Sequence, residues 1–410
     1  MTWSDLNSLA PRSKSLLESA AREPSRPVLS EIPSVLNIPA VEVGSPEWAS
    51  LLSSEAEGGT TYREVLLRWL ITRAIVDQGS DIIGVEMWHS GVISDCYKSG
   101  IRILHDPIRA LARYEEVVQI ADQHRKLVTD SRAEIWAAES NGRKTGQYTP
   151  FNVDGMRGGK QAHWFVSARM LPGLLVSFLS PGGLTDHVFG KANDETPSEM
   201  ARRLKNDAVT GLGWSMGDKA CDLFAKWAVG TFRLGEGLAI PWRPEDCPLP
   251  MDQRVGRVLI RCGFMDEFFG VSRVMSTKSN GFTSHEKPEQ NRPKPGDPLP
   301  DGRWHLMVMN FRRNSKVNNP LILEWLSETA EQSSAIRPKS WGPQDVLSSL
   351  CRSYNRSHNG DVTPVELDDF LMNAATPCTD NSPTCTQCPL EQDCQAHNDP
   401  KMSALKKYFT

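Results

Sequence analysis

Apolar residues first recur at helical spacing near Tyr62, where Val65, Leu66, Trp69 and Leu70 share a face, and helical patterning runs on to about Asp130. Residues 1–60 are rich in Ser, Pro and Glu, with a short helix expected around Lys14–Ala21. Between 140 and 190 the pattern is less regular and richer in glycine: "DGMRGGKQAHWFV" leads into the apolar run Met170–Leu179, which "SPGG" closes. Helical patterning returns from Ser198 to Gly230. Residues 275–303 are polar, Pro-rich and almost free of large apolar groups, the composition of a flexible insertion. "WHLMVMNF", from Trp304 to Phe311, is the good strand candidate, and helices resume after Pro320 and after Trp341. There is no internal repeat. The pattern predicts a mainly α protein with loop insertions and little β.

At 410 residues the chain is long enough for two or three domains, and its composition is globular, 39% hydrophobic and 23% charged. No apolar run approaches the roughly 18 residues a membrane span needs, and no basic-then-apolar signal opens the chain. A cytoplasmic protein without a membrane partner is expected. In that compartment clustered cysteines more often hold a metal than form disulfides. With a net charge of −4, nucleic-acid binding requires a local basic surface and not a global field.

Four of the nine cysteines lie in "CTDNSPTCTQCPLEQDC", spaced C-x6-C-x2-C-x5-C from Cys378 through Cys385 and Cys388 to Cys394. Four thiolates can close a tetrahedral zinc site or clasp a cubane iron–sulfur cluster. Two upstream stretches accompany them. "VTGLGWSMGDKACDLFAKWAVG" places Val209, Gly211, Leu212, Gly213 and Gly217 in an h-x-G-h-G turn, with Met216, Ala220, Leu223, Phe224 and Trp227 on one face of the following helix. Glycines let a backbone approach a phosphate closely, and the N–H groups at a helix start can bind its oxygen. "LPMDQRVGRVLIRCGF" puts Asp252 at a helix start, where Asp is a common cap. Its apolar stripe is Met251, Val255, Val258, Leu259 and Cys262, and Arg254, Arg257 and Arg261 form a separate basic stripe.

In this order, hairpin, aspartate and cysteine loop, the chain resembles the helix-hairpin-helix DNA glycosylase superfamily, in its endonuclease III-like branch with an iron–sulfur cluster loop. The likeness covers residues 62–90, 205–265 and 345–397. It implies a two-lobed fold: a helical barrel lobe over 62–250 with the hairpin at 209–220 and an insertion near 140–190, and a cluster lobe over 251–410. The cluster lobe would carry an insertion near 271–320 and the iron–sulfur loop at 378–394, with residues 1–61 packing on it.

The resemblance further implies a [4Fe–4S] cluster on Cys378, Cys385, Cys388 and Cys394, and Asp252 as the catalytic carboxylate. It implies double-stranded DNA as partner, contacted by Gln78, Gly211, Leu212, Gly213, Arg254 and Arg257, and a monomer with room for a protein partner at the insertions. Asp81 follows Gln78 and Gly79 in the matching early segment. One departure is that the first cysteine gap, "TDNSPT", contains no Lys or Arg. In strand-cleaving members a lysine follows the hairpin. Gly211-Leu212-Gly213 puts Ser215 in that slot and implies base removal alone; a register on Met216-Gly217 puts Lys219 there and implies an added lyase step. A non-catalytic iron–sulfur damage sensor and a zinc-stabilised helical module stand as rivals. Trp88, Trp164, Trp214 and Trp304 are read as core aromatics in preference to base-stacking platforms.

Overall fold

The computed structural model describes residues 3–22, 31–56, 58–77, 81–139, 159–179, 181–269, 308, 311–312, 315–378 and 383–398. Among these residues the protein is mainly helical and has no strand; one isolated antiparallel bridge joins Glu55 to Thr61. Of the expected strand at Trp304–Phe311 the described residues include Val308 and Phe311, which are helical and buried, and the rest lies outside them. A short apolar run does not separate a strand from a buried helical turn. No single helix among the described residues is long and apolar enough to cross a membrane.

The chain divides into two compact units. One comprises Met1–Arg26, Asp194–Glu199 and Pro241–Thr410; the other comprises Pro27–Asn193 and Met200–Ile240. The division therefore falls at Pro241 where 251 was expected, and it cuts the expected 1–61 segment in two after Arg26.

The second unit is built on the helix Tyr62–Val76. Thr61 caps its start by accepting from Glu64 N. Val65, Leu66, Trp69 and Leu70 are buried as the periodicity requires, but so are Arg63, Glu64, Arg68 and Thr72 on the opposite side. A helix enclosed all round must satisfy its polar groups internally. Arg63 Nε donates to Leu234 O (2.8 Å), Glu64 accepts from Leu184 N and Thr185 N (2.8 Å each), and Arg68 donates to the carbonyls of Leu104 and His105 (3.0 Å each). The helices Ile82–Lys98 and Tyr114–Glu139 run along one another beside it. Trp88, fully buried there, donates Nε1 to Ala121 O. From Gly159 onward the expected irregular insertion is helical, and Met170, Leu171 and Leu174 of its apolar run are core residues. Residues 140–158 lie outside the described residues.

In the first unit the N-terminal helix Pro11–Ala20 joins the core of the C-terminal helices. Leu6, Leu16 and Leu17 pack in one cluster with Val255, Leu259, Phe264, Trp325, Leu347 and Leu371. Glu267 sews the two ends of the sequence together by accepting from Arg12 N, Ser13 N and Ser13 Oγ, which supplies the orphan amides at that helix start. Most of the expected 271–320 insertion lies outside the described residues, which resume at Ser315 before the helix Pro320–Gln332.

Candidate functional site

The predicted site residues fall into three groups: Asp252 with its arginines, the cysteine loop, and the hairpin. The first two belong to the first unit and the third to the second.

Asp252 is the N-cap of the helix Gln253–Cys262, with Oδ1 accepting from Arg254 N (2.7 Å) and Val255 N (2.9 Å). The side chain is half-buried, and Oδ2 has no hydrogen-bond partner among the described residues. One oxygen thus fixes the carboxylate's direction and the other remains available. The helix ends at Gly263, whose φ of 103° a side chain tolerates poorly. Its apolar stripe is buried as the spacing requires.

Its basic stripe is not one surface. Arg254 is exposed, whereas Arg257 and Arg261 are buried, 5% and 4% exposed. Both point at the cysteine loop: Arg257 Nε donates to Cys378 O (2.6 Å) and Arg261 Nη1 to Cys378 Sγ (3.3 Å). Cys394 Sγ in turn donates to Arg261 O (3.4 Å). The expectation of a DNA contact from Arg257 is corrected accordingly: its donors are directed inward, and burial holds its pKa below the ordinary arginine value despite the pull of Cys378.

Cys378, Cys385, Cys388 and Cys394 line one hollow of about 410 Å³, counted out to the solvent, together with Arg261, Glu391 and His397. Among the described residues no set of three His, Cys, Asp or Glu side chains stands arranged to hold a metal ion, and residues 379–382 lie outside them. The fit to a cluster therefore rests on the shared wall: four soft thiols around one mainly apolar space, with a guanidinium on one sulfur. Soft thiolates select iron–sulfur clusters, zinc or copper(I). Burial pushes the Cys388 thiol up to about 11 and raises Cys394 too, so binding a metal there must displace protons. The other five cysteines are buried and form no disulfide among the described residues.

In the hairpin, both glycines are required by the chain's own backbone. A Cβ on Gly211 would meet Asp207 O at 2.2 Å, and one on Gly213 would meet Lys205 O at 2.8 Å. The turn thus folds back on the end of the helix Pro197–Asn206, and Leu212 is buried with its N–H on Leu204 O (2.8 Å). Asp207 Oδ1 accepts from Val209 N, Thr210 N and Thr210 Oγ1, which holds its carboxyl down to about 2. Gly211 N is likewise used, on Asp207 O. The N–H groups of Gly213 and Trp214 have no partner among the described residues, and Val209 and Trp214 project outward, 82% and 56% exposed.

Ser215 and Lys219, the residues of the two hairpin registers, differ in exposure. Ser215 is fully buried, donates its hydroxyl to Ala168 O (3.1 Å), and receives Arg169 on its own carbonyl. Arg169 also lies 4.6 Å over the Trp164 ring. A π-helical turn at Val166–Met170 presents both partners. A side chain so enclosed is no nucleophile, as the register with Ser215 in the lysine's slot expects of a protein that removes the base alone. The helix instead starts at Asp218, directly after Met216-Gly217, and Lys219 lies in its first turn with a side chain 34% exposed. Its Nζ is 3.5 Å from Asp77 Oδ2. Sequence reasoning missed Asp77, although its place directly after the long helical pattern that starts at Tyr62 was a signal. Gln78 lies outside the described residues. Asp81, next to it in the motif, forms a buried bidentate pair with Arg132 (3.0 and 2.9 Å). Of the tryptophans, Trp88 is core, Trp214 is exposed and Trp304 lies outside the described residues. Comparison of the chain with protein-family models, with curated proteins and with solved structures gave no match.

Proposed function

We propose that this protein is a two-lobed helix-hairpin-helix DNA glycosylase that hydrolyses the N-glycosidic bond of a damaged or modified base, with a [4Fe–4S] cluster on Cys378, Cys385, Cys388 and Cys394. A base inside a duplex cannot be attacked in the stack, so it is extruded at a cost on the order of a few kcal/mol, least where it is damaged or mispaired. Breaking the bond develops oxocarbenium character on the sugar, which a nearby carboxylate stabilises while it activates water. The observation that carries this reading is Asp252: Oδ1 is locked by two amides and Oδ2 is unengaged. The unpartnered amides of Gly213 and Trp214 and the exposed Arg254 are suited to phosphate oxygens. The cluster's contribution when bound is to brace its loop. Arg257 and Arg261 anchor that loop to the helix that Asp252 begins.

A second reading adds strand cleavage through Lys219. What favours it is the first-turn position of Lys219, whose side chain is 34% exposed. The test of the main reading is a panel of duplex oligonucleotides bearing oxidised, deaminated, alkylated or hypermodified bases. Release of one class of base supports it; binding without release of any base sinks it and leaves a damage sensor.

A further inference from the structure

Lys219 Nζ and Asp77 Oδ2 are 3.5 Å apart, and this is the ion pair that Lys219 makes among the described residues. The two groups differ in access: the lysine side chain is 34% exposed and the aspartate 12%. Asp77 is the C-cap of the helix Tyr62–Val76, where the helix dipole disfavours a carboxylate. The neighbouring charges are already committed. Arg73 spans Glu86 (2.7 Å) and Glu31 (2.9 Å), and Asp218, next to Lys219, is held by Lys205. Burial, then Glu86, holds the Asp77 carboxyl above its ordinary range, although Lys219 and Arg73 pull the other way.

An amine reached by solvent and backed by an enclosed carboxylate is an arrangement suited to imine formation. Resting on the strand-cleaving reading above, we propose that Asp77 is the proton partner of Lys219 in condensing with the aldehyde of an abasic deoxyribose. The carboxylate accepts a proton from the ammonium. The freed amine adds to the sugar aldehyde, forming the C–N bond, and the proton on nitrogen passes to the carbinolamine oxygen. The Asp77 carboxylic acid then protonates that hydroxyl, which departs as water and leaves an iminium. The sum is one ammonium and one aldehyde giving one iminium and one water, with Asp77 regenerated. A group that must accept and then return a proton works best when its acid and base forms lie close in energy, and the enclosed setting of Asp77 moves it that way.

The test is cyanoborohydride trapping on a duplex oligonucleotide with one abasic site, using the full chain. Lys219→Ala should give no adduct. Asp77→Asn should slow trapping at neutral pH by about tenfold or more, and Asp77→Glu should recover much of it. In the natural chain the proton leaving the ammonium passes to Asp77, so the log rate should level off once Asp77 is ionised and be nearly independent of pH around neutrality. In Asp77→Asn that proton must go to solvent, so the log rate should keep rising with pH across the same interval. A purely structural aspartate would leave the two profiles parallel. Asp77→Asn matching the natural chain in rate and slope, with Lys219→Ala silent, overturns this inference alone. No adduct from the natural chain, or an adduct surviving in Lys219→Ala, overturns the strand-cleaving reading and the inference with it. Should Asp77→Asn fail to fold, a rate in the natural chain that keeps rising with pH through neutrality, with no plateau, is sufficient to overturn the role of Asp77.

Discussion

The guanidinium of Arg261 stands 3.3 Å from the sulfur of Cys378, both of them buried, 117 residues apart in sequence. The helix that Asp252 caps therefore ends on the wall of the cysteine hollow. A hydrogen bond from a fixed cation favours a thiolate over a thiol, and such outer contacts hold metal ligands in place. In Arg261→Ala the iron bound per chain and the visible absorbance should fall, while Arg254→Ala, altered on the exposed side of the same helix, retains both. Equal iron in the two variants would remove Arg261 from any role at the site.

Asp252 caps its helix, and the catalytic role proposed for it can be separated from that cap by substitution. Asn caps a helix about as well as Asp, so Asp252→Asn should keep the fold and DNA binding while abolishing base release. Asp252→Ala should abolish release and also lose about 1 kcal/mol of stability with the cap. Urea unfolding and a base-release assay report the two effects separately. Full activity in Asp252→Asn would refute the catalytic assignment.

Asp207 makes the hairpin sensitive to strong acid. Its folded value, about 2, lies below the 3.8 of a free aspartate, so the folded state binds fewer protons than the unfolded one between them. Its contribution is complete above the unfolded value and is lost as pH falls through about 2. In Asp207→Asn the stability should vary less with pH across that interval. The protection of the Val209 and Thr210 amides, measured against their intrinsic exchange rates, should fall on acidification in the natural chain, since both donate to the carboxylate.

Gly211 has no room for a side chain. A Cβ there would lie 2.2 Å from the Asp207 carbonyl, a backbone atom that cannot swing aside. Gly211→Ala should destabilise the protein by roughly 1–3 kcal/mol, the range for overpacking. Gly217→Ala should be far milder, because nothing lies within 4 Å of its added methyl group. Chemical denaturation of the two variants side by side measures the difference.

The helices were largely legible in the chain because they depend on local periods and caps. The stripe Met251, Val255, Val258, Leu259 and Cys262 repeats at helical spacing and is buried. Asp252 precedes it and caps it. Met216, Ala220, Leu223, Phe224 and Trp227 behave the same way in the other unit. The four cysteines could be named, and it could be expected that they act together, from spacing alone.

What spacing could not decide was where each polar face turns, because that depends on which element packs against it. Arg254, Arg257 and Arg261 form one stripe along the sequence, yet the cysteine loop covers two of them and leaves the first in solvent. Ser215 and Lys219 are one helical turn apart in number, but the π turn carrying Ala168 and Arg169 closes over the serine and leaves the lysine beside Asp77. The hairpin glycines were visible as a motif, and only the fold showed that the carbonyls of Lys205 and Asp207 occupy the space a side chain would need. Helix, cap and cysteine pattern belong to the sequence by itself. Which groups are enclosed and which remain free to react was decided by tertiary packing, since enclosure is a relation between segments distant along the chain.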